Sequence, residues 1–300
     1  MIYELGYGLK EIPSEEFSRD SLTLAMLSMT ELEAGGEKLG LNTDCLALKP
    51  FQIDCDDDRY MIHVRKISTD IEQAHEDSIY IVIRQNMLAV INCDGETKEH
   101  FFKTLGTVKS VLTLERAVSA LLFAMTTDDM KELDGIEYSI SKFEDAVLTD
   151  GKTDNINTEI LKIKRKLLRL HSFYEQLSDI ADELVRNENK LFNGKRLKLF
   201  RDYGLYMDKL AAKVDMLRES LVQLREAYQA SIDLKLNNTM KIFTVIATVF
   251  LPLTLITSWY GMNFAHMPEL KWRFGYIYVI ILSAAIAAGC IIYFKKKKLM

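Results

Sequence analysis

The chain of 300 residues carries a net charge of −5, and this charge is distributed unevenly. From Lys241 onwards there are seven Lys or Arg residues and one acid, so residues 1–240 carry about −11. A region this acidic argues against nucleic-acid binding and favours cations as partners, although solubility alone also accounts for the charge. The four cysteines form no Cys-x-x-Cys pair, which indicates free thiols in a reducing compartment.

The sequence gives little support for an enzyme or for a secreted protein. It contains no phosphate-binding glycine loop, no zinc-type His/Cys cluster and no nucleophile–base pair, so we do not expect an enzyme. No apolar segment with a cleavage site opens the chain, so we expect the region before the apolar C-terminus to stay in the cytoplasm.

Residues 1–113 mix strand and helix patterns, which predicts a mixed sheet with helices packed on it. The expected strands cover residues 45–53, 60–67, 79–84 and 87–92, with an acidic turn at 54–58 and a hairpin turn at 85–86. The expected helices cover residues 21–33 and 96–105.

From residue 114 the apolar residues follow a helical period. We predict helix over residues 114–148, a turn at 150–155, a long helix over 157–189 and a break at 192–194. Apolar residues then alternate three and four positions apart from Met207 to Tyr228, as in a helical bundle. Because no proline or strong break follows before the apolar C-terminus, we predict one continuous helix over residues 197–260; an ordinary bundle helix followed by a loop is the alternative.

Two apolar runs near the C-terminus are each long enough to cross a bilayer. Residues 242–268 and 274–294 contain no charged side chain, and a transmembrane helix needs about 20 apolar residues. Lysines flank the first run at Lys235 and Lys241 and follow the second at residues 295–298. This bias predicts a two-span hairpin with both termini in the cytoplasm and residues 261–273 outside.

A helical wheel divides the first span into two faces. One arc of about 80° carries small, polar or moderately large residues: Met240, Phe243, Ala247, Leu251, Thr254 and Ser258. The opposite side carries the aliphatic residues expected toward lipid: Ile242, Val245, Ile246, Val249, Leu253 and Ile256. The first arc suits either a pore wall or packing on the second span, and the wheel leaves both possibilities open. A pore would need a symmetric ring of chains, since two spans cannot enclose one.

Neither span contains an acidic residue. A divalent cation would therefore be recognised by carbonyl and amide oxygens acting on its water shell. Mg²⁺ dehydrates reluctantly and keeps several waters, so this chemistry fits Mg²⁺.

The end of the first span resembles the CorA family of magnesium transporters. The motif Tyr-Gly-Met-Asn-Phe at 260–264 is followed by Met-Pro-Glu-Leu at 267–270 and a lysine-rich tail, and Pro-Leu-Thr precedes it at 252–254. The resemblance is close over residues 202–300 and only general over the first 110 residues. It implies a funnel-shaped homopentamer in which each chain has an α/β cytoplasmic domain, a long stalk helix and two C-terminal transmembrane helices.

The resemblance also implies a set of site residues. The selectivity filter would consist of Gly261, Met262 and Asn263, whose oxygens face the waters of hydrated Mg²⁺. The pore-lining and gate positions would be Asn237, Met240, Phe243, Ala247, Leu251 and Thr254. A regulatory Mg²⁺ would bind at Asp202, between neighbouring protomers, with Asp44 or an aspartate of residues 54–58 as a candidate partner. Glu269 in the outer loop would attract cations; a local ion pair with Lys271 or Arg273 is the alternative.

These features together predict a cell-membrane channel for passive uptake of Mg²⁺, with Co²⁺ or Ni²⁺ as further cargoes, driven by the membrane potential and closed by internal Mg²⁺. A Zn²⁺ transporter of the same superfamily and a non-conducting membrane sensor are the alternatives. The expected organisation is an α/β domain (1–113), a helical hairpin (114–196), a stalk helix continuous with the first span (197–260), an outer loop (261–273), a second span (274–294) and a basic tail near lipid (295–300).

Overall fold

The computed structural model describes residues 2–5, 9–12, 21–39, 41, 46–67, 76–107, 111–149, 156–262 and 272–297. The chain forms two compact units, Met1–Arg225 and Glu226–Met300, and each is described by itself. The division falls within the long helix predicted over residues 197–260, and the domain limits given above stay predictions.

The first unit contains a seven-stranded sheet. Its strands are β1 (Ile2–Leu5), β2 (Leu9–Ile12), β3 (Thr23–Leu27), β4 (Ile53–Asp56), β5 (Arg59–Ile67), β6 (Glu76–Arg84) and β7 (Met87–Ile91). Their order across the sheet is β2-β1-β3-β7-β6-β5-β4. Among the described strands, β3 and β7 are parallel and the other neighbours are antiparallel. The predicted mixed α/β domain is therefore confirmed.

The predicted hairpin at 79–92 is also confirmed. Strands β6 and β7 pair with Arg84 opposite Met87, so Gln85 and Asn86 form a two-residue turn. Asn86 has φ 61°, a left-handed conformation that asparagine tolerates well in such turns. All five residues of β7 are buried, as expected for a strand covered on both faces.

The predicted helix over residues 21–33 is wrong in its first half. Residues Thr23–Leu27 form strand β3, and helix α1 (Met29–Gly35) begins only after Ser28. Leu24 and Ala25 are fully buried between β1 and β7, so burial in the sheet overrides their good helix propensity. Ser28 and Glu31 form a capping box that fixes the start of α1.

The predicted strand over residues 45–53 is wrong over residues 46–52 and right only at its last residue. Residues 46–52 form turns, and strand β4 begins at Ile53, while residue 45 lies outside the described residues. The acidic segment begins in that strand, so the turn itself is limited to Asp57 and Asp58. The strand at 60–67 is confirmed as β5.

The two faces of the sheet carry separate layers of core. One face packs on residues from α1 and the segment after it, and includes Met61, Tyr80, Val82, Ala89 and Ile91. Alternate residues point to the other face. There α3 (Leu114–Met125) packs against β7, and α2 (Gly95–Thr107) packs against α3.

The helical stretch predicted over residues 114–148 is confirmed in the first unit, but it forms two helices. This stretch is broken into α3 and α4 (Asp129–Leu148). The Thr127 hydroxyl donates to the carbonyl oxygen of Phe123 at 2.9 Å, and such side-chain bonds compete with the helix. The long helix predicted over 157–189 is α5 (Ile156–Arg186), and the expected break follows it. The turn predicted at 150–155 lies outside the described residues.

The next helix is α6 (Lys198–Tyr260), a single helix of 63 residues, which confirms the predicted continuous helix. In the first unit α6 runs antiparallel to α5. Gly204 lies against Ala181, and the Ser178 hydroxyl donates to the Asp208 carboxylate at 2.7 Å. The second unit holds the apolar end of α6 and α7 (Gly275–Lys296), and both helices are long and apolar enough to cross a membrane.

Candidate functional site

The six residues predicted to line a pore all lie on the exposed surface of α6. In the single chain Met240 is 56% exposed, Phe243 62% and Leu251 71%. Asn237, Ala247 and Thr254 are exposed as well. No side chain within the described part of the second unit covers this arc.

The opposite side of the same helix is the covered one. Along this stripe Val245 is buried, and the half-buried positions are Val249, Pro252, Leu253, Ile256 and Tyr260. The expectation that the aliphatic face meets lipid is therefore wrong for four of its six residues. Only Ile242 and Ile246 of that set are exposed.

Helix α7 carries a matching stripe. Its less exposed positions are spaced three and four apart: Val279, Leu282, Ser283, Ile286, Ala287, Cys290 and Phe294. Side chains at this spacing share one face of a helix. We infer that the two helices pack along these stripes as a hairpin, which leaves the arc with Ala247 and Thr254 free. The alternative in which the small residues of α6 pack on the second span is not supported.

The Ser and Thr hydroxyls within and just before the first span fall into two classes. Four of them donate to backbone carbonyl oxygens of their own helix at 2.7–3.1 Å: Thr239, Thr244, Thr248 and Thr257. Thr254 and Ser258 have no hydrogen-bond partner among the described residues, and both belong to the exposed arc. A hydroxyl left without a partner in hydrocarbon is costly, so these two require water or another polar group.

The end of α6 explains the glycine of the motif. The Gly261 N–H donates to the Thr257 carbonyl at 3.0 Å, and the Met262 N–H donates to the Trp259 carbonyl at 3.4 Å. A Cβ atom at Gly261 would lie 3.0 Å from the Thr257 oxygen, closer than side chains normally approach. Gly261 therefore permits this close backbone approach. Met262 is 43% exposed, whereas Asn263 and Glu269 lie outside the described residues.

Aromatic residues that the sequence interpretation did not single out cluster beside the outer loop. Trp272 contacts Phe274 and Tyr278, with ring centroids 6.3 and 6.1 Å apart. Aromatic side chains at the end of a span are typical of the membrane–water interface. Their position next to the loop was the signal available in the sequence.

The predicted regulatory residue Asp202 is exposed on the first turns of α6. Its neighbour Tyr203 is fully buried and packs edge-to-face on Phe123 at 5.0 Å, which fixes the orientation of this part of the helix. Among the described residues, no ion pair involves Asp202 and no group of three His, Cys, Asp or Glu side chains could hold a metal. A cation at Asp202 would therefore need ligands from outside these residues.

The candidate partners of Asp202 do not converge on it within the described residues. Asp56 accepts a hydrogen bond from Arg59 at 2.8 Å, and Asp58 lies 4.0 Å from Arg84. Both aspartates therefore lie beside arginines of the same sheet. Asp44 lies outside the described residues.

A cavity of about 400 Å³ lies where α2, α4 and α5 meet β5 in the first unit. Asp129 lines it, and one of its carboxylate oxygens is buried without a hydrogen-bond partner. Burial raises the pKa of Asp129 to about 7; the Tyr174 hydroxyl opposes this shift and the nearby Glu132 carboxylate reinforces it. No pattern in the sequence indicated this buried acid.

Comparison with known proteins identifies the family. Residues 37–296 match the family model described as CorA-like Mg²⁺ transporter protein. A cobalt/magnesium transport protein CorA from Thermotoga maritima is 28% identical over 248 residues, covering 80% of this chain and 70% of that protein. A magnesium transport protein CorA from Salmonella typhimurium is 31% identical over 209 residues, covering 61% of this chain and 66% of that protein.

A solved structure supports the fold independently. The complete structure of the CorA magnesium transporter from Methanocaldococcus jannaschii superposes with a TM-score of 0.84 at 21% identity, covering 98% of this chain and 96% of that one. The match of the family model over residues 37–296 shows that the chain belongs to the CorA-like Mg²⁺ transporter family. Its two apolar C-terminal helices fit a membrane ion transporter of this family.

Proposed function

We propose that this chain is one subunit of a homopentameric pore that conducts hydrated Mg²⁺ across the cell membrane. Both termini lie in the cytoplasm, and the exposed arc of α6 lines the pore. Asn237 and Thr254 form polar rings, while Met240, Phe243 and Leu251 form a hydrophobic constriction that closes by dewetting. Gly261, Met262 and Asn263 form the outer filter, and Glu269 attracts cations to it.

One observation carries this proposal. The aliphatic stripe of the span is its less exposed side, and the exposed arc holds Thr254 and Ser258, the Ser and Thr residues of the span whose hydroxyls have no partner among the described residues. A helix that faced only lipid with this arc would bury polar groups in hydrocarbon, which is unfavourable. A ring of identical helices around water places the same groups where they can bond to the ion's hydration shell.

The chemistry of the arc favours a hydrated ion. The described parts of the second unit contain no carboxylate between residues 234 and 262 or between 272 and 297. Neutral oxygens bind the waters of Mg²⁺ rather than stripping them, which suits an ion that dehydrates reluctantly. A divalent ion moving inward gains about 4.6 kcal/mol per 100 mV, so the membrane potential can drive uptake without an energy-consuming step.

Regulation in this proposal takes place at Asp202. The side chain is exposed and its orientation is fixed by the buried Tyr203, so it can meet a carboxylate of a neighbouring subunit. Internal Mg²⁺ bound between the two would screen their repulsion and favour the closed ring. When the internal Mg²⁺ concentration falls, this ion would dissociate and the ring would be free to open.

The direct test is ion flux in liposomes that contain the purified full chain. Mg²⁺ entry should follow an imposed inside-negative potential, and Asn263→Ala should reduce it at equal incorporation, while Asn238→Ala, one position from the proposed polar ring at Asn237, serves as the matched control. Supplying Co²⁺, Ni²⁺ or Zn²⁺ instead gives the selectivity order. Faster Zn²⁺ than Mg²⁺ entry would favour the zinc alternative, and no flux of any metal would favour a non-conducting sensor.

A further inference from the structure

The cytoplasmic end of α7 combines exposed basic and exposed apolar side chains in register. Lys295, Lys296 and Lys297 are exposed, and four positions before them Ile291 is 46% exposed, Ile292 66% and Tyr293 55%. Residues four apart lie one above the other on a helix. Each lysine therefore stands one turn beyond an exposed apolar residue.

Tyr293 links the two kinds of surface. The Lys297 ammonium group lies 5.6 Å from the centre of the Tyr293 ring, which is within cation–π range. The contact holds Lys297 alongside the helix, where its charge stays next to the apolar surface.

Helix α6 brings another basic residue to the same end of the hairpin. Lys241 lies 19 positions before the end of α6 at Tyr260, and Lys295 lies 20 positions after the start of α7 at Gly275, so the two lie at a similar depth in an antiparallel hairpin. Lys241 lies one turn before Val245 and is exposed. Because the described residues 234–262 and 272–297 contain no acid, no carboxylate of these segments neutralises the four lysines.

We propose that this end of the hairpin is a binding site for an anionic phospholipid of the inner leaflet. The phosphate would lie among Lys241, Lys295, Lys296 and Lys297, and an acyl chain would cover Ile291, Ile292 and Tyr293. A water-soluble phosphate would satisfy the lysines but leave the apolar residues in water. A lipid satisfies both, and lysine stems can reach the headgroups along the apolar surface.

The proposal rests on the transmembrane hairpin of the proposed function but not on ion conduction. Generic attraction to a negative membrane surface would need only the positive charge of the lysines. The site proposed here also needs the exposed apolar residues that lie one turn before them. It predicts a lipid that remains bound to the purified protein in a defined number per chain.

The test uses the full chain in neutral detergent, with lipid-bound species counted by native mass spectrometry and stability followed by thermal unfolding. Added phosphatidylglycerol should bind and raise the melting temperature, whereas phosphatidylcholine and glycerol 3-phosphate should do neither. Three lysines at roughly fivefold each give about a 100-fold loss of phosphatidylglycerol affinity in the variant Lys295→Gln/Lys296→Gln/Lys297→Gln.

Two matched variants accompany this one. Replacing the same three lysines by arginine should retain binding. Lys164→Gln/Arg165→Gln/Arg169→Gln removes equal charge from exposed positions of α5 and should leave binding unchanged.

Three outcomes would overturn the proposal. The first is equal stabilisation by phosphatidylcholine, and the second is equal stabilisation by glycerol 3-phosphate, which would indicate a site for a soluble anion. The third is undiminished phosphatidylglycerol binding in the glutamine variant. The first two are measured on the unaltered chain, so they hold even if the glutamine variant fails to insert. Mg²⁺ flux that persists in any of these cases would leave the proposed function intact.

Discussion

The two halves of α6 are built on the same helical period but have opposite surroundings. In the first unit its apolar seam is closed by the chain's own packing: Met207, Leu210, Val214, Leu217, Leu221 and Leu224 are each at most 4% exposed. In the second unit the arc from Asn237 to Thr254 is exposed throughout. The first half stabilises the single chain, whereas the second half presents a surface that no described side chain of the same unit covers.

The largest effect that distinguishes the two halves is on stability. Leu210→Ala removes a fully buried side chain and should lower the free energy of unfolding by about 3 kcal/mol. Leu251→Ala, at a position 71% exposed, should change it by less than about 0.5 kcal/mol. Thermal unfolding of both variants in detergent measures the difference. Equal losses would mean that Leu251 is buried in the folded protein, either within one chain or between chains, and would contradict the contrast drawn here.

A second effect concerns pH and belongs to the first unit. Folded Asp129 keeps its proton up to about pH 7, whereas the unfolded side chain loses it near its ordinary pKa. Because the folded state binds more protons between these values, stability should fall as pH rises through this window. The expected loss is about 2 kcal/mol, less than the full shift implies because water and structural relaxation weaken it.

Replacing the buried acid tests this assignment. Asp129→Asn should flatten the pH dependence of the melting temperature between pH 5 and pH 8. Asp145→Asn, at an exposed position of the same helix, is the control and should retain it. If the slope survives in Asp129→Asn, another group is responsible.

A smaller effect distinguishes the hydroxyls of the first span. Ser258→Ala should lower Mg²⁺ flux about threefold to tenfold, the value of one hydrogen bond to the ion's hydration shell. Thr257→Ala removes a hydroxyl that already donates to the Thr254 carbonyl, so flux should be nearly unchanged. Liposome flux at equal incorporation compares the two. An equal loss in both variants would argue that Ser258 has no special contact with the pore.

Local patterns in the sequence were sufficient where a single period dominates. The hairpin turn at Gln85 and Asn86, the α5 helix and the continuity of α6 follow from alternation, heptad spacing and the lack of breaks. Local patterns were insufficient where burial in the tertiary structure decides whether a segment forms a helix or a strand. Leu24 and Ala25 suit a helix, but the sheet places them in a central strand.

The candidate site was only partly predictable for a similar reason. The wheel identified the arc containing Ala247 and Thr254, but it assigned Val249 and Leu253 to lipid because large aliphatic residues suit both lipid and helix packing. The matching stripe of less exposed residues on α7 is what favours helix packing over lipid contact for these residues. The buried Asp129 could not be predicted, since the sequence segment around it resembles an ordinary acidic helix start.

The most direct test of the pore wall is the chemical accessibility of single cysteines in α6. In a chain whose native cysteines are replaced by serine, Ala247→Cys is compared with Val249→Cys after reconstitution into liposomes. A positively charged, water-soluble thiol reagent should modify Ala247→Cys and stop Mg²⁺ uptake, while Val249→Cys should remain unmodified and active. Modification of Ala247→Cys by lipid-soluble reagents alone, with uptake unaffected, would contradict the account.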